Sequence, residues 1–347
     1  MVTVNQAKKP FALPLRVVGF IFLAAVVVTS AVTPAQADTV RACLVRTIDT
    51  SRWSPPSPDP MGITVLPNGH LLVSDSEVEE CVNNNPPVYW HGVNLFEADR
   101  SGTLLATATT YTPPPGSCTP FFGPGPNFTS EPTGVTINPT NGHLFFSDDD
   151  KKRIFEVDLG PDGKYGTADD IVTSFSTSPL NPAVKVDPEG VAFGEGDLFV
   201  VSGGISGGGG DAAVYQIDPG PNGRFDGVPP AGDDVVVNRF EVAPLGVGDS
   251  EGVAFDLDSG NLYVIGRDRH LIEVTTTRVL VRTIDISALP FVAPADVVYA
   301  PGSLNLLIKH LYIVDRGVDN NVDPLENDGK MYEITVNPIE CILPPPL

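Results

Sequence analysis

Short apolar runs alternate along this chain with polar stretches in which most of its 34 Gly and 35 Pro residues fall, the pattern of short strands joined by many turns. The fullest unit is DSEGVAFDLDSGNLYVI, Asp249 to Ile265. An acidic residue precedes a Gly, an apolar strand follows (Val253 to Phe255), then a Gly/Asp/Asn turn and a second apolar strand (Leu262 to Ile265). The same order recurs in DPMGITVLPNGHLLVSD (Asp59 to Asp75), EPTGVTINPTNGHLFFSDD (Glu131 to Asp149) and DPEGVAFGEGDLFVVSG (Asp187 to Gly203), with a degenerate fifth copy in Pro294 to Asp315. Recurrence at this period is the mark of a repeat fold.

A second match sets the topology. LVRTIDTS (Leu44 to Ser51) is nearly repeated as LVRTIDIS (Leu280 to Ser287). In the copy opened by Asp249 the order is strand A, strand B, strand C (Leu271 to Val274), then LVRTID as strand D. The last copy supplies A (Val297 to Tyr299), B (Leu311 to Val314) and C (Met331 to Thr335), but no D, and the N-terminal LVRTID provides it. This is the ring closure of an all-β β-propeller, in which the first strand completes the last four-stranded blade and few edges stay exposed. Further C strands are Asn94 to Asp99, Arg153 to Asp158 and Ala213 to Asp218; D strands are Thr103 to Thr109, Ile171 to Phe175 and Val235 to Phe240. Five blades result, with six as the second reading if Tyr111 to Ser130 forms one. The four cysteines fit this layout: Cys43 before the closing strand pairs with Cys341 beyond strand C of the same blade, and Cys81 pairs with Cys118 between loops of the first blade.

The first residues read as a leader: basic Lys8, Lys9 and Arg16, an apolar run from Val17 to Val28, and Ala35-Gln36-Ala37. The run falls short of the roughly 20 apolar residues of a bilayer span, so residues 1–37 are a signal peptide, 38–341 one propeller and 342–347 a Pro-rich tail. The expected location is secreted or periplasmic, with no membrane attachment after cleavage. The formal charge of −22 repels phosphate backbones and argues against nucleic acid. It invites calcium, or serves solubility alone. A monomer is expected, with a small-molecule, carbohydrate or protein ligand.

In a propeller the starts of strands A and the ends of strands B open on one face, the top. Glu131, Glu189, Glu251 and Asp296 precede or begin strands A, while Asp75, Asp148, Asp268 and Asp315 follow strands B. Carboxylates converging on a channel repel one another unless a cation or buried protons compensate, so an oxygen-ligated calcium or other divalent metal is expected there. Alternatively each carboxylate accepts turn amides of its own blade. His91 and His270 start strands C and reach the top, where an imidazole beside carboxylates acts as a general base or sits idle. His70, His143 and His310 fall in the A-to-B turns of the opposite face. Arg267 and Arg316 clamp an anionic ligand group or pair with neighbouring acids such as Asp268.

Two C-to-D hairpins on the bottom face are acidic. In DLGPDGKYGTADD, Asp158, Asp162, Gly163, Asp169 and Asp170 approach the spacing of an EF-hand calcium loop, without flanking helices and with Gly160 at the third position. DPGPNGRFDGVPPAGDD keeps Asp218, Asn222, Gly223, Asp233 and Asp234. These loops hold structural calcium or are Asx-rich hairpins needing no ion. Gly204 to Gly208 matches G-x-S-x-G but lies between two strands, which is not the strand-turn-helix setting of a nucleophile elbow. Asn127-Phe128-Thr129 is a glycosylation sequon.

The repeated E-G-V-A-F, turn, L-Y-V pattern resembles NHL-type propellers. It is more closely similar to the SdiA-regulated extracytoplasmic propeller family and to the related esterase-like and gluconolactonase propellers, over most of Met61 to Val336. The gluconolactonase resemblance implies a top-face divalent metal, bound by Glu, Asn and Asp, that polarises a lactone carbonyl. Glu131, Glu189, Glu251 and Asp296 resemble such ligands in type, although that family usually has six blades. Two functions follow as expectations: a metal-assisted hydrolase of a lactone, ester or carbohydrate, with His270 or His91 moving protons, and a non-catalytic binding scaffold.

Overall fold

The computed structural model describes residues 37–78, 87–110, 128–204, 211–320, 322–323 and 325–342. Most of the expected leader, Cys81, Cys118, Asn127 of the sequon, most of the sixth-blade candidate and of the G-x-S-x-G match, and most of the C-terminal tail lie outside them.

Five antiparallel sheets follow in chain order. The chain enters through β1 (Asp38–Arg41) and β2 (Cys43–Ile48). Blade one is β3 (Pro60–Val65), β4 (Leu71–Asp75), β5 (Leu95–Ala98) and β6 (Leu104–Ala108). Blade two is β7 (Val135–Ile137), β8 (Leu144–Asp148), β9 (Arg153–Asp158) and β10 (Ile171–Ser176). Blade three runs from β11 (Pro188–Gly194) through β12 (Asp197–Ser202) and β13 (Ala213–Asp218) to β14 (Val235–Glu241). Blade four comprises β15 (Ser250–Phe255), β16 (Asn261–Gly266), β17 (Leu271–Thr275) and β18 (Leu280–Asp285). Blade five has β19 (Pro294–Pro301), β20 (Lys309–Asp315) and β21 (Lys330–Thr335), and β2 pairs antiparallel with β21 to complete it, from Cys43 opposite Thr335 to Ile48 opposite Met331. The chain is a five-bladed β-propeller.

The closure is stapled. Cys43 and Cys341 form a disulfide with Cα atoms 5.4 Å apart, across a sequence separation of 298. Cross-linking so long a loop contributes on the order of 5 kcal/mol in the chain-entropy account. One strand goes beyond the expected ring: β1 adds in parallel to the outer edge of blade four, Asp38 opposite Arg282 to Arg41 opposite Asp285. The N-terminal segment therefore covers blade four's edge and then enters blade five, tying the two together.

Burial explains the sequence pattern. B strands are covered on both faces by the neighbouring blades and are apolar in their centres, as in Leu71, Leu72 and Val73, all inaccessible. Outer D strands alternate, so Leu105 and Val281 are exposed. Near the axis the blades meet through one register position, Gly62, Gly134, Gly190, Gly252 and Asp296. A Cβ on Gly252 would lie 2.4 Å from Asp296 Cα, and one on Gly134 only 2.7 Å from Glu189 O, so the narrow ring excludes side chains there. The fifth position carries the only side chain of the set, and it closes the channel. Asp296 accepts backbone N–H bonds from Ile63 (3.0 Å), Val253 (3.2 Å) and Val297 (2.8 Å), linking blades one, four and five.

Candidate functional site

The repeat places three side chains per blade at the top. The first position of the D/E-P-x-G segment holds Asp59, Glu131, Asp187, Asp249 and, in blade five, Ala293. The third holds Met61, Thr133, Glu189, Glu251 and Ala295, and the residue after strand B is Ser76, Asp149, Gly203, Arg267 or Arg316. Backbone bonds fix this register: Gly203 N donates to Asp187 O at 2.8 Å, Arg267 N to Asp249 O at 2.9 Å, and Arg316 N to Ala293 O at 3.1 Å. Together these positions and the B-to-C loops enclose a cavity of about 500 Å3, lined by nine carboxylates and four basic side chains.

The blade five to blade one side is internally neutralised. Arg316 is buried and reaches Asp59 (3.0 Å), Asp319 (2.8 Å) and Glu77. Burial pushes Asp59 up to about 7 against the pull of Arg316. It pushes Glu77 up to about 9, with Asp59 and Asp319 adding to the rise. Burial opposes the guanidinium's charge, but the three acids and Glu251 hold it well above its usual value. Arg316 thus serves three carboxyl groups, with Arg267 3.4 Å from Asp319 and protons making up the balance.

The blade two to blade four side is not. Oxygens of Asp149, Asp187 and Glu189 lie within 4.8 Å of one another. Lys152 reaches into this cluster and donates to Asp187 from a backbone with φ of 53°, a left-handed conformation that costs a non-Gly residue on the order of 1 kcal/mol, and Lys185 stands 4.0 Å from the other Asp187 oxygen. Thr133 donates its hydroxyl to Asp149 at 3.0 Å. Burial, then the charges of Glu251, Asp149 and Asp187, drive Glu189 well above the carboxylate range. Burial raises Asp149 as well, and raises Glu251 to about 7 against Arg316. The donor set is all hard oxygen, and its span suits a cation with ligands at roughly 2.3–2.6 Å, as calcium takes.

The four A-strand acids of the sequence reading occupy three different registers, which is a correction to treating them as one ligand ring. Glu189 and Glu251 share the third position, Glu131 belongs with Asp187 and Asp249, and Asp296 is the channel plug. Asp75, Asp148 and Asp315 are buried in turns of their own blades. Asp75 accepts from Ser57 Oγ (2.7 Å) and Asp59 N (3.0 Å), Asp148 from Thr129 Oγ1 (2.6 Å) and Lys151 N (2.6 Å), and Asp315 from Val292 N (2.7 Å) and Ala293 N (2.9 Å). His270 is exposed and bonds to Asp268 at 3.2 Å, and His91 is exposed ahead of β5; neither lines the cavity. Arg267 does, at its rim, 3.4 Å from Asp319, while Asp268 accepts from Gly248 N at 3.0 Å. Among the cavity residues that the sequence reading did not single out are Asp187, Asp149, Glu77 and Lys152; aligning the D/E-P-x-G segments position by position would have found Asp187.

On the bottom face His70, His143 and His310 each bond a strand C glutamate, Glu97 (2.5 Å), Glu156 (2.7 Å) and Glu333 (2.6 Å). In the hairpins Asp158 accepts from Gly160 N (3.1 Å), Asp162 from Lys164 N (2.8 Å), Asp169 from Asp162 N (3.3 Å) and Asp170 from Gly166 N (2.8 Å). Asp218 accepts from Gly220 N at 2.7 Å, and Asn222 from Arg224 N at 2.7 Å. Among the described residues the hairpin carboxylates that come together are Asp226, Asp233 and Asp234, two of them from the sequence reading and one not.

Fold and site define a five-bladed propeller with an acidic, polar cavity at the top of a plugged channel. No protein-family model and no curated protein sequence matches the chain. Solved structures do. A protein of unknown function from Bacteroides caccae is 13% identical over 69% of this chain and 71% of its own, with a TM-score of 0.38. A catalytically inactive virginiamycin B lyase from Staphylococcus aureus with quinupristin is 15% identical over 85% and 99%, TM-score 0.42. A luciferin-regenerating enzyme is 15% identical over 80% and 91%, TM-score 0.45. The lyase and the luciferin-regenerating enzyme are β-propeller proteins, and at these identities the likeness concerns the fold alone.

Proposed function

We propose that the chain is an extracytoplasmic calcium-binding propeller whose top cavity works as a metal-assisted hydrolase on a lactone, ester or carbohydrate. The observation that carries this reading is the convergence of Asp149, Asp187 and Glu189 on the cavity that also holds Glu251. A calcium ion held by the first three would polarise a substrate carbonyl or glycosidic oxygen. Glu251, with a pKa of about 7, is placed to hold or release a proton at its carboxyl in the role first assigned to His270 or His91. Arg267 at the rim meets an anionic group on the ligand.

The test is hydrolysis of a panel of aliphatic lactones, aryl esters and aryl glycosides by the mature protein, with and without a chelator. Chelator-sensitive turnover that falls at least 100-fold in Glu251→Gln while calcium binding persists supports the reading. Calcium binding without turnover supports the second reading, a non-catalytic scaffold, which the placement of both top-face histidines outside the cavity favours.

A further inference from the structure

We propose that the crevice between blades one and two is a binding site for a small, flat aromatic molecule carrying a hydrogen-bond donor at one end. Equivalent crevices recur around the ring, one between each blade and the next. Strand B positions Leu72, Phe145, Phe199 and Tyr263 are equivalent because each sits opposite the same strand C position, Glu97, Glu156, Gln216 and Glu273. Each faces the last strand A residues of the next blade. Phe145 stacks on Phe193 with centroids 6.1 Å apart, Phe199 on Phe255 at 5.3 Å, and Tyr263 meets Tyr299 at 5.0 Å. Between blades five and one the pair is Tyr312 and Val65, and between blades one and two it is Leu72 and Ile137, neither of them aromatic, with Phe146, Phe155 and Phe128 packed in the same cluster.

The hairpin sharpens the contrast. In blade three the C-to-D hairpin drops Phe225 edge-on against Phe145 at 5.3 Å and Phe193 at 6.3 Å, completing a cluster of three rings. The equivalent residue of blade two is Tyr165 in the aligned GKYG and GRFD segments. Its hydroxyl instead donates to Glu97 at 2.7 Å, across into blade one. A cavity of about 750 Å3 remains, lined by Leu66, Val93, Ala108, Ile137, Leu159 and Tyr165 among others. That volume and the largely apolar wall are those of a small-molecule site rather than of a packing defect.

The polar end is built. Glu97 accepts from Asn68 Nδ2 (3.0 Å) and His70 Nδ1 (2.5 Å) on Oε1 and from Tyr165 on Oε2, which leaves acceptor capacity on Oε2 for a ligand donor. The aspartates of the hairpin acquire a role without calcium: Asp170 and Asp162 bind the amides of Gly166 and Lys164 on either side of Tyr165 and hold it over the crevice.

The test uses residues 38–347 and the neutral fluorophore 2-naphthol, a flat two-ring molecule with one hydroxyl donor at its end. Saturable binding at one site is expected, at least 10-fold weaker in Ile137→Phe, which restores a ring, and in Thr107→Trp, which obstructs the wall from strand D. Ile137→Phe should also melt higher than wild type without the probe, and Leu307→Ser, at an exposed leucine elsewhere, should bind normally. No saturable binding, or equal binding by wild type and both crevice variants, overturns the proposal. So does a wild type that refuses the probe beside a Phe121→Ala/Phe122→Ala variant that accepts it, because the chain itself would then fill the crevice.

Discussion

The two sides of the top cavity occupy the same repeat positions and solve the same electrostatic problem in opposite ways. After strand B, blade five has Arg316 where blade two has Asp149. On the Arg316 side a fixed guanidinium sits among Asp59, Glu77 and Asp319 and is buried with them. On the Asp149 side the acids Asp149, Asp187 and Glu189, with Glu251 beside them, face two loop lysines, Lys152 and the more distant, half-exposed Lys185 at 4.0 Å, both paired to Asp187. A built-in cation makes a structural joint between the first and last blades, whereas a carboxylate cluster short of positive charge keeps a demand for an exchangeable one.

The largest effect should come from removing the fixed cation. Arg316→Met strands the buried carboxyl groups of Asp59 and Glu77 and is expected to cost about 3–5 kcal/mol, read as a lower denaturant midpoint. Next comes pH. Asp59 and Glu251 both have folded pKa values raised to about 7, so the folded state holds their protons more tightly than the unfolded state. The stability they contribute is full below their unfolded values near 4 and is lost as pH rises through about 7. Melting in calcium-free buffer should therefore fall across that window, and Glu251→Gln should flatten the fall.

Neutralising one acid on the other side should do the reverse of Arg316→Met. Glu189→Gln removes a carboxyl that burial and the neighbouring acids force to take up a proton on folding and should stabilise the calcium-free protein by roughly 1 kcal/mol in a melting experiment near neutral pH. Lys152→Met, which withdraws the competing ammonium, should tighten calcium several-fold in a titration. Smallest of all should be Asp162→Asn/Asp169→Asn in the exposed hairpin, whose amide bonds an Asn oxygen also accepts: the melting midpoint should stay where it was, with or without calcium.

The fold was legible because every blade repeats the same apolar A and B strands and because LVRTID occurs twice. What the repeats did not show was β1, whose parallel pairing with β18 leaves no alternation or hairpin signal in DTVR. The site was half legible. Glu189 and Glu251 stand beside the glycine of the motif and are easily seen, yet Asp187 two residues earlier was passed over for the more obvious acid. Glu77 and Arg316 meet across the ring closure, 239 residues apart, and local spacing carries no trace of that. Lys152 enters the cavity through its left-handed backbone, a conformation that the run DDDKKR does not announce. Asp75, Asp148 and Asp315 were equally conspicuous as acids, but turn amides rather than the cavity claim them.

The most direct test is a calorimetric calcium titration of residues 38–347 beside the Glu189→Gln variant. A single site in the wild type that is lost or weakened at least 10-fold in Glu189→Gln is the predicted result. Calcium binding of equal strength in both, or none in the wild type, would contradict the assignment of Asp149, Asp187 and Glu189 as the cation site.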